Sequence, residues 1–197
     1  MFAACYVVLG LAVAHVPPGA FDRTGQAFLG QAPSLAEIFT RSCSPPVLGV
    51  FTAVLLVIAW RFPAWRPRVA YAFVVALAGW QLSDVLKRAW GRPRPDHWLR
   101  FHETSFAYAS GHAMFAVVIY GLWAWFLWHS SLPRPARFAA SALLAFWALG
   151  IVWSRLALGA HWPTDLAGGV LLGASVLAAA SAVRAGFASR ARRIATP

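Results

Sequence analysis

The sequence predicts an all-α fold, a polytopic bundle of about six membrane helices. Three observations carry that prediction. Hydrophobic residues make up 60% of the 197-residue chain and charged residues 12%, against about 45–50% and about 25% in an average soluble protein. The apolar residues gather in runs close to the roughly 20 that one crossing needs. Lipid-facing backbone must satisfy its own hydrogen bonds, so such runs are helices. With a mean hydropathy of +0.61, the chain is not disordered, collagen-like or an ordinary soluble domain. The spans would use most of residues 1–197 in a single membrane domain and leave little outside it.

The first apolar run covers residues 2–16. Ala12-Val13-Ala14 has the small residues of a cleavage site, but no basic residue precedes the run as a signal peptide requires. It reads as a first membrane helix, with cleavage the alternative. Residues 17–46 are mixed. There Phe21, Phe28, Leu29, Leu35 and Phe39, set among Asp22, Arg23, Glu37 and Arg41, suggest a short interfacial helix. Further spans are expected over 47–60, 69–86, 112–128, 138–158 and 162–183, the first short enough to need its flanks. Pro63, Pro67, Pro93, Pro95, Pro133 and Pro135 mark the connections. Trp60, Trp65, Trp90, Trp98, Trp128 and Trp162 stand near span ends, as in an aromatic belt, whereas Trp147 reads as core. Gly169 and Gly173 form a GxxxG that permits close helix contact, although the spacing is common by chance. Cys5 and Cys43 are too few and too far apart for a disulfide framework and are expected to stay free.

The formal charge is +11, from 17 Lys+Arg against 6 Asp+Glu. Such an excess suits nucleic acid, anionic lipid or a phosphorylated substrate. The basic residues fall in short clusters and form no long stripe. That pattern favours membrane topology plus an anionic substrate, with no nucleic-acid partner. Arginines such as Arg61, Arg66, Arg68, Arg134, Arg137 and Arg184 share one side under this span count. That side holds nine basic residues and the other eight, a small excess that sharpens where some of the eight serve a site, and the positive-inside rule then makes the first side cytoplasmic, with both termini inside.

Three polar segments fall together on the opposite, outer side. They are Lys87 to Pro95, leaving the third span; Ser110-Gly111-His112, entering the fourth; and Ser154-Arg155 followed by His161 and Asp165, between the fifth and sixth. Lys87, Arg94 and Arg155 offer cations that can grip phosphate oxygens. Ser110 and Gly111 precede a helix whose free N–H groups favour an anion. His161 and Asp165 are one helical turn apart. The carboxylate can accept from one ring nitrogen and leave the other as nucleophile or base. His112 is suited to protonate a leaving group. Cations, an activated nucleophile and an acid together suit phosphoryl transfer. Arg88, Arg92 and Arg100 read instead as snorkelling residues at the lipid interface. Asp96, His97, His102 and Glu103 match no strong metal spacing and read as headgroup-facing loop.

These segments resemble the type 2 phosphatidic acid phosphatase (PAP2) superfamily of membrane lipid phosphatases. The family pattern is K-x6-R-P, then P-S-G-H, then S-R-x5-H-x3-D. Lys87 to Arg94-Pro95 matches the first in full, and Ser154-Arg155, His161 and Asp165 match the third in full. The second reads Ala109-Ser110-Gly111-His112, with alanine in place of proline, which alters the turn into the helix and no functional side chain.

The resemblance implies a phosphohistidine on His161, with Asp165 orienting it and His112 protonating the leaving oxygen. It implies that Lys87, Arg94, Arg155 and the Ser110-Gly111 segment hold the phosphoryl oxygens. It further implies catalysis without metal or other cofactor, on a lipid phosphate or diphosphate such as undecaprenyl diphosphate, phosphatidylglycerol phosphate, phosphatidate or lipid A. The expected setting is a bacterial inner membrane with the site facing outward. The alternatives are a lipid phosphotransferase using the same intermediate and a non-catalytic lipid-binding or transport protein. Vanadate-dependent haloperoxidases share the phosphate-binding pattern but are soluble.

Overall fold

The structure, a computed structural model, describes residues 1–96 and 103–195, with side chains described as far as 187 and at 189–190. Among the described residues every regular element is helical. The elements are α1 (Phe2–Val13), α2 (Ala20–Thr24), α3 (Pro33–Arg41), α4 (Pro45–Arg61), α5 (Arg66–Trp90), α6 (Gly111–Phe115), α7 (Leu122–Trp128), α8 (Arg134–Ala157) and α9 (Pro163–Ala195). A π-helical turn, Ala116–Gly121, joins α6 to α7.

Four stretches are long and apolar enough to cross a membrane: Pro63–Trp90, Gly111–Trp128, Arg134–Ala157 and Pro163–Phe187. α3 and α4 qualify only as a pair, bent by 48°, and α1 is a shorter apolar helix of 12 residues. All the apolar runs expected from the sequence are thus helices. The first is short for a crossing, and the second spans only together with its bent flank. Lipid-facing residues account for the exposure of α4, which has no buried residue.

The interfacial helix expected within 17–46 forms differently. Phe21, Phe28 and Leu35 are exposed, but Phe39 is buried on α8. Its ring fills the space above Gly150, where a Cβ would collide with it, and packs edge-on against Trp147 at 4.8 Å. α3 is therefore fixed to the bundle rather than floating on it.

Two contacts set the site's walls. α9 meets the start of α6 along its glycines. A Cβ at Gly169 would lie 2.5 Å from the Ser110 carbonyl oxygen, and one at Gly173 would lie 2.9 Å from that of Met114. Gly168 lies directly against the Tyr108 ring. The GxxxG is thus the seat of the Ser110–His112 turn. Tyr6 of α1 stacks on Tyr108 at 5.4 Å and accepts a hydrogen bond from Trp90 Nε1 at 2.8 Å. α1 thereby clamps the end of α5 to the loop before α6. α5 itself stops at Gly91, whose φ of 63° is left-handed backbone that glycine adopts without strain. The chain then turns into Arg92–Pro95 beneath the bundle's polar end.

Candidate active site

Each of the three sequence segments delivers its residues to one end of the bundle. Lys87 lies on the last turn of α5 with its Nζ donating to the Phe106 carbonyl at 2.8 Å. Its Cε is 3.8 Å from the Cβ position of Gly111, so the lysine sits beside the Ser110-Gly111 turn. Ser110 caps α6, its hydroxyl accepting from Ala113 N at 3.4 Å, and its own N–H donates to the Asp165 carbonyl at 3.0 Å. Ala109, in the place of the family's proline, is buried, and the capping turn forms around it. The first N–H groups of the helix have no partner within the helix. His112 is half-buried and, among the described residues, makes no side-chain hydrogen bond.

Arg155 is buried on the last turn of α8. Nη1 donates to Thr40 Oγ1 at 2.6 Å and Nη2 to Glu103 Oε1 at 2.5 Å. Among the described residues, Nε is a buried donor with no partner. Such a group is costly to leave unpaired, so it marks a place where an acceptor belongs.

Arg94 sits at the centre. Nε donates to the Ser105 carbonyl at 2.6 Å, and Nη2 donates to Glu103 Oε2 at 2.6 Å and to Ser105 Oγ at 2.9 Å. Nη1 donates to the Ala160 carbonyl at 2.9 Å and faces His161 Nε2 at 3.0 Å. A guanidinium has no lone pair to offer. This contact therefore identifies Nε2 as the unprotonated nitrogen and places the ring proton on Nδ1. Nδ1 faces Asp165 Oδ2 at 3.4 Å, and that oxygen also accepts from Trp162 N at 2.9 Å. Burial, reinforced by Arg94, Lys87, Arg155 and His112, pushes the His161 pKa well below its usual range. The ring is neutral at neutral pH, with its Nε2 lone pair available to an electrophile.

Several members of this cluster were not read from the sequence. Glu103 was expected to face the headgroups; instead it bridges Arg94 and Arg155. Burial alone would raise its pKa, but Arg155 and Arg94, then His112 and Lys87, outweigh that and hold it at about 2. It is an anion seated between the two arginines predicted to hold phosphate. Arg92 was expected to snorkel; instead it is 2% exposed and paired with Asp22 and Asp165. A guanidinium with two buried carboxylates in reach gains more from pairing than from the interface. Arg88 is exposed and paired with Asp84, as a snorkelling residue can be. Arg100, His97 and His102 lie outside the described residues. Asp96 is exposed. Among the described residues, no cluster of three or more His, Cys, Asp or Glu could hold a metal ion. Cys5 and Cys43 are free.

A family model described as PAP2 superfamily matches residues 67–187. Phosphatidylglycerophosphatase B of Escherichia coli K12 is 42% identical over 86 residues, 43% of this chain and 31% of that protein. Lipid A 1-phosphatase of Rhizobium johnstonii is 39% identical over 129 residues, 60% of this chain and 49% of that protein. The chain thus spans from about a third to about half of the length of these curated relatives. The crystal structure of a transmembrane PAP2-type phosphatidylglycerolphosphate phosphatase from Bacillus subtilis superposes with a TM-score of 0.78. That match covers 96% of this chain and 94% of the other at 23% identity, and it establishes a common fold.

Proposed function

The chain belongs to the PAP2 superfamily and is an integral membrane protein, and on that premise we propose that it hydrolyses a lipid phosphate or diphosphate through a phosphohistidine on His161. One observation carries the reading: His161 presents an unprotonated Nε2 to Arg94 while Asp165 faces its Nδ1. In this mechanism Nε2 attacks phosphorus and the bond from phosphorus to the leaving oxygen breaks. That oxygen takes a proton from His112. Water then attacks phosphorus while giving a proton to His112, the bond from phosphorus to Nε2 breaks, and inorganic phosphate and free His161 remain. Lys87, Arg94, Arg155 and the Ser110-Gly111 turn hold the non-bridging oxygens. Arg155 Nε supplies a donor that is otherwise idle. The phosphate takes the place of the Glu103 carboxylate between the arginines. It also displaces the Arg94 contact from Nε2, because that lone pair must be free to meet phosphorus.

The whole of 1–197 works as one unit here, since α1, α2 and α3 all touch the site's walls. The substrate's tail lies between helices and its phosphate at the interface. The relatives point to phosphatidylglycerol phosphate or lipid A as candidates, with phosphatidate and undecaprenyl diphosphate beside them. The site faces the outside of a bacterial inner membrane. A cysteine at Asp96 is then labelled from outside intact cells and one at Arg134 is not; the reverse pattern overturns the orientation.

The activity test uses detergent-purified protein and these four lipids. The expected result is phosphate release from at least one, with acid-labile label from a radiolabelled substrate trapped by the wild type and absent from His161→Ala. Release from none, or label retained by His161→Ala, overturns the reading.

A further inference from the structure

Behind the His161–Asp165 pair lies a second buried ion cluster that the phosphate-holding residues do not use. Arg92 Nη2 donates to Asp22 Oδ2 at 2.6 Å, and Nη1 donates to Asp165 Oδ1 at 2.6 Å and to Thr164 Oγ1 at 2.7 Å. Asp22 Oδ1 accepts from Thr164 N at 3.0 Å and from Thr164 Oγ1 at 2.7 Å. Arg92 is 2% exposed, Asp22 3% and Asp165 0%. Three distant parts of the chain meet here: α2, the segment after α5, and the first turn of α9. We propose that Arg92 and Asp22 are positioning residues for His161, acting through Asp165; this rests on the reading of His161 as the nucleophile.

The geometry explains how. A carboxylate held by one oxygen can turn about its last side-chain bond. Asp165 is held by both: Arg92 takes Oδ1, and Trp162 N–H takes Oδ2. Oδ2 is thereby aimed at His161 Nδ1. That contact keeps the ring proton on Nδ1 and the lone pair on Nε2, toward the substrate. Arg92 also leaves Asp165 with a countercharge where water cannot supply one.

Asp22 does two further things. It occupies Arg92 Nη2, which would otherwise be an unpaired buried donor, and so fixes the guanidinium plane. Its other oxygen accepts the Thr164 N–H. Pro163 at the start of α9 has no N–H, so Thr164 carries the first orphan donor of that helix. The carboxylate that steadies Arg92 therefore also anchors the turn bearing Asp165. A short helix far upstream in sequence sets the tautomer of the nucleophile.

The test uses the full-length chain in detergent with Arg92→Gln, Arg92→Lys and Asp22→Asn. The first measurement needs no substrate: ¹⁵N-histidine NMR of His161, assigned by the signal lost in His161→Ala. The wild type is expected to show the Nδ1–H tautomer, Arg92→Gln a mixture of tautomers, and Arg92→Lys to lie nearer the wild type. The second measurement is kinetic. Arg92→Gln and Asp22→Asn are expected to lower kcat about 10–100-fold, the range found for outer partners of a functional histidine, with KM changed less than about twofold. Arg92→Gln in an Asp165→Asn background, measured above the His161→Ala residue, is expected to cost little more, because both changes remove one unit.

A His161 tautomer unchanged in folded Arg92→Gln overturns the inference. So does a full additional loss in the Asp165→Asn background, which a merely structural role would produce. If Arg92→Gln does not fold, Arg92→Lys and Asp22→Asn decide by the same two measurements. A wild type that hydrolyses no lipid phosphate overturns the phosphatase reading alone, and the tautomer measurement still decides this one.

Discussion

Replacing Glu103 with Gln removes the carboxylate that ties Arg94 Nη2 at 2.6 Å to Arg155 Nη2 at 2.5 Å. In the wild type an incoming phosphate must break both contacts before it can use these donors. A hydrogen bond to a charged group contributes about 1.5–3 kcal/mol net. An amide holds the guanidinium groups more weakly than a carboxylate does. The exchange should therefore become easier by roughly 1.4–2.7 kcal/mol, or about 10–100-fold in affinity for inorganic phosphate.

The pH dependence provides an independent check. The arginines hold Glu103 at about 2, against an ordinary value of 4.5. Once phosphate displaces it, its pKa returns toward the ordinary value. Between the two values the displaced carboxyl takes up a proton that the engaged one refuses. The phosphate affinity of the wild type relative to E103Q must then rise as pH falls through 4.5, by about fourfold at pH 4 relative to pH 6. Orthophosphate loses most of its remaining dianion over that interval, but this change is common to both proteins and cancels in the ratio of their affinities. Calorimetric titration of phosphate into detergent-solubilised protein at pH 6, 5 and 4 measures both effects. Equal affinities and equal slopes in wild type and Glu103→Gln would show that Glu103 stays in place when phosphate binds. Weaker binding by Glu103→Gln would show that the carboxylate aligns the arginines instead of competing for them.

Three other outcomes are expected. His112→Ala should lose about 10²–10⁴-fold on an alkyl phosphate, the usual share of a general acid, and much less on an aryl phosphate whose leaving oxygen needs no proton. His161→Ala should be inactive on both, and equal losses on the two substrates in His112→Ala would remove the acid role. Activity should survive chelator and fall with vanadate, because fixed cations meet the developing charge and five-coordinate vanadate mimics the transition state; loss in chelator restored by a divalent ion would contradict this. Gly169→Ala places a Cβ 2.5 Å from the Ser110 carbonyl oxygen and should cost about 1–3 kcal/mol in a melting measurement. Gly186→Ala, with nothing within 4 Å, should not be destabilised, and equal melting of the two variants would refute the tight seat.

The membrane class and the gathering of positions 87, 94, 110–112, 155, 161 and 165 at one end of the bundle were legible because they are local signals. Apolar runs read as helices, and the motifs keep fixed spacings along helix ends. Arg92, Asp22 and Glu103 were not legible, because their roles depend on tertiary contacts between segments as far apart as α2 and α9. Glu103 gave a misleading signal: a carboxylate in a loop between two membrane spans normally faces water. One available clue was scarcity. The chain has 6 acidic residues against 17 basic ones, so each acid near a buried cation is a strong candidate for pairing. The role of the GxxxG was not legible for a different reason. Its spacing carries little information until the partner backbone is known, and here that partner is the Ser110 turn itself.

On the proposed function, charge balance then accounts for why this end of the bundle would suit a phosphate. Lys87, Arg92, Arg94 and Arg155 are the buried or nearly buried cations; Asp22, Asp165 and Glu103 are the carboxylates they meet. Arg92 and its two carboxylates form a closed group behind His161. In front of it stand Lys87, Arg94 and Arg155, with Glu103 as the one described carboxylate between them. Lys87 meets a backbone carbonyl and Arg155 keeps an idle Nε. A site of low polarity does not hold surplus cations without an anion to compensate. A carboxylate brings one negative charge, whereas a phosphate monoester at neutral pH brings close to two and more acceptor oxygens. Replacing Glu103 with such a group improves the charge match and can give Arg155 Nε its missing acceptor. A ligand carrying only a single carboxylate would merely exchange one partner for an equal one. On the proposed function, the front of the site would therefore discriminate by charge and acceptor number before any contact with a lipid tail is made.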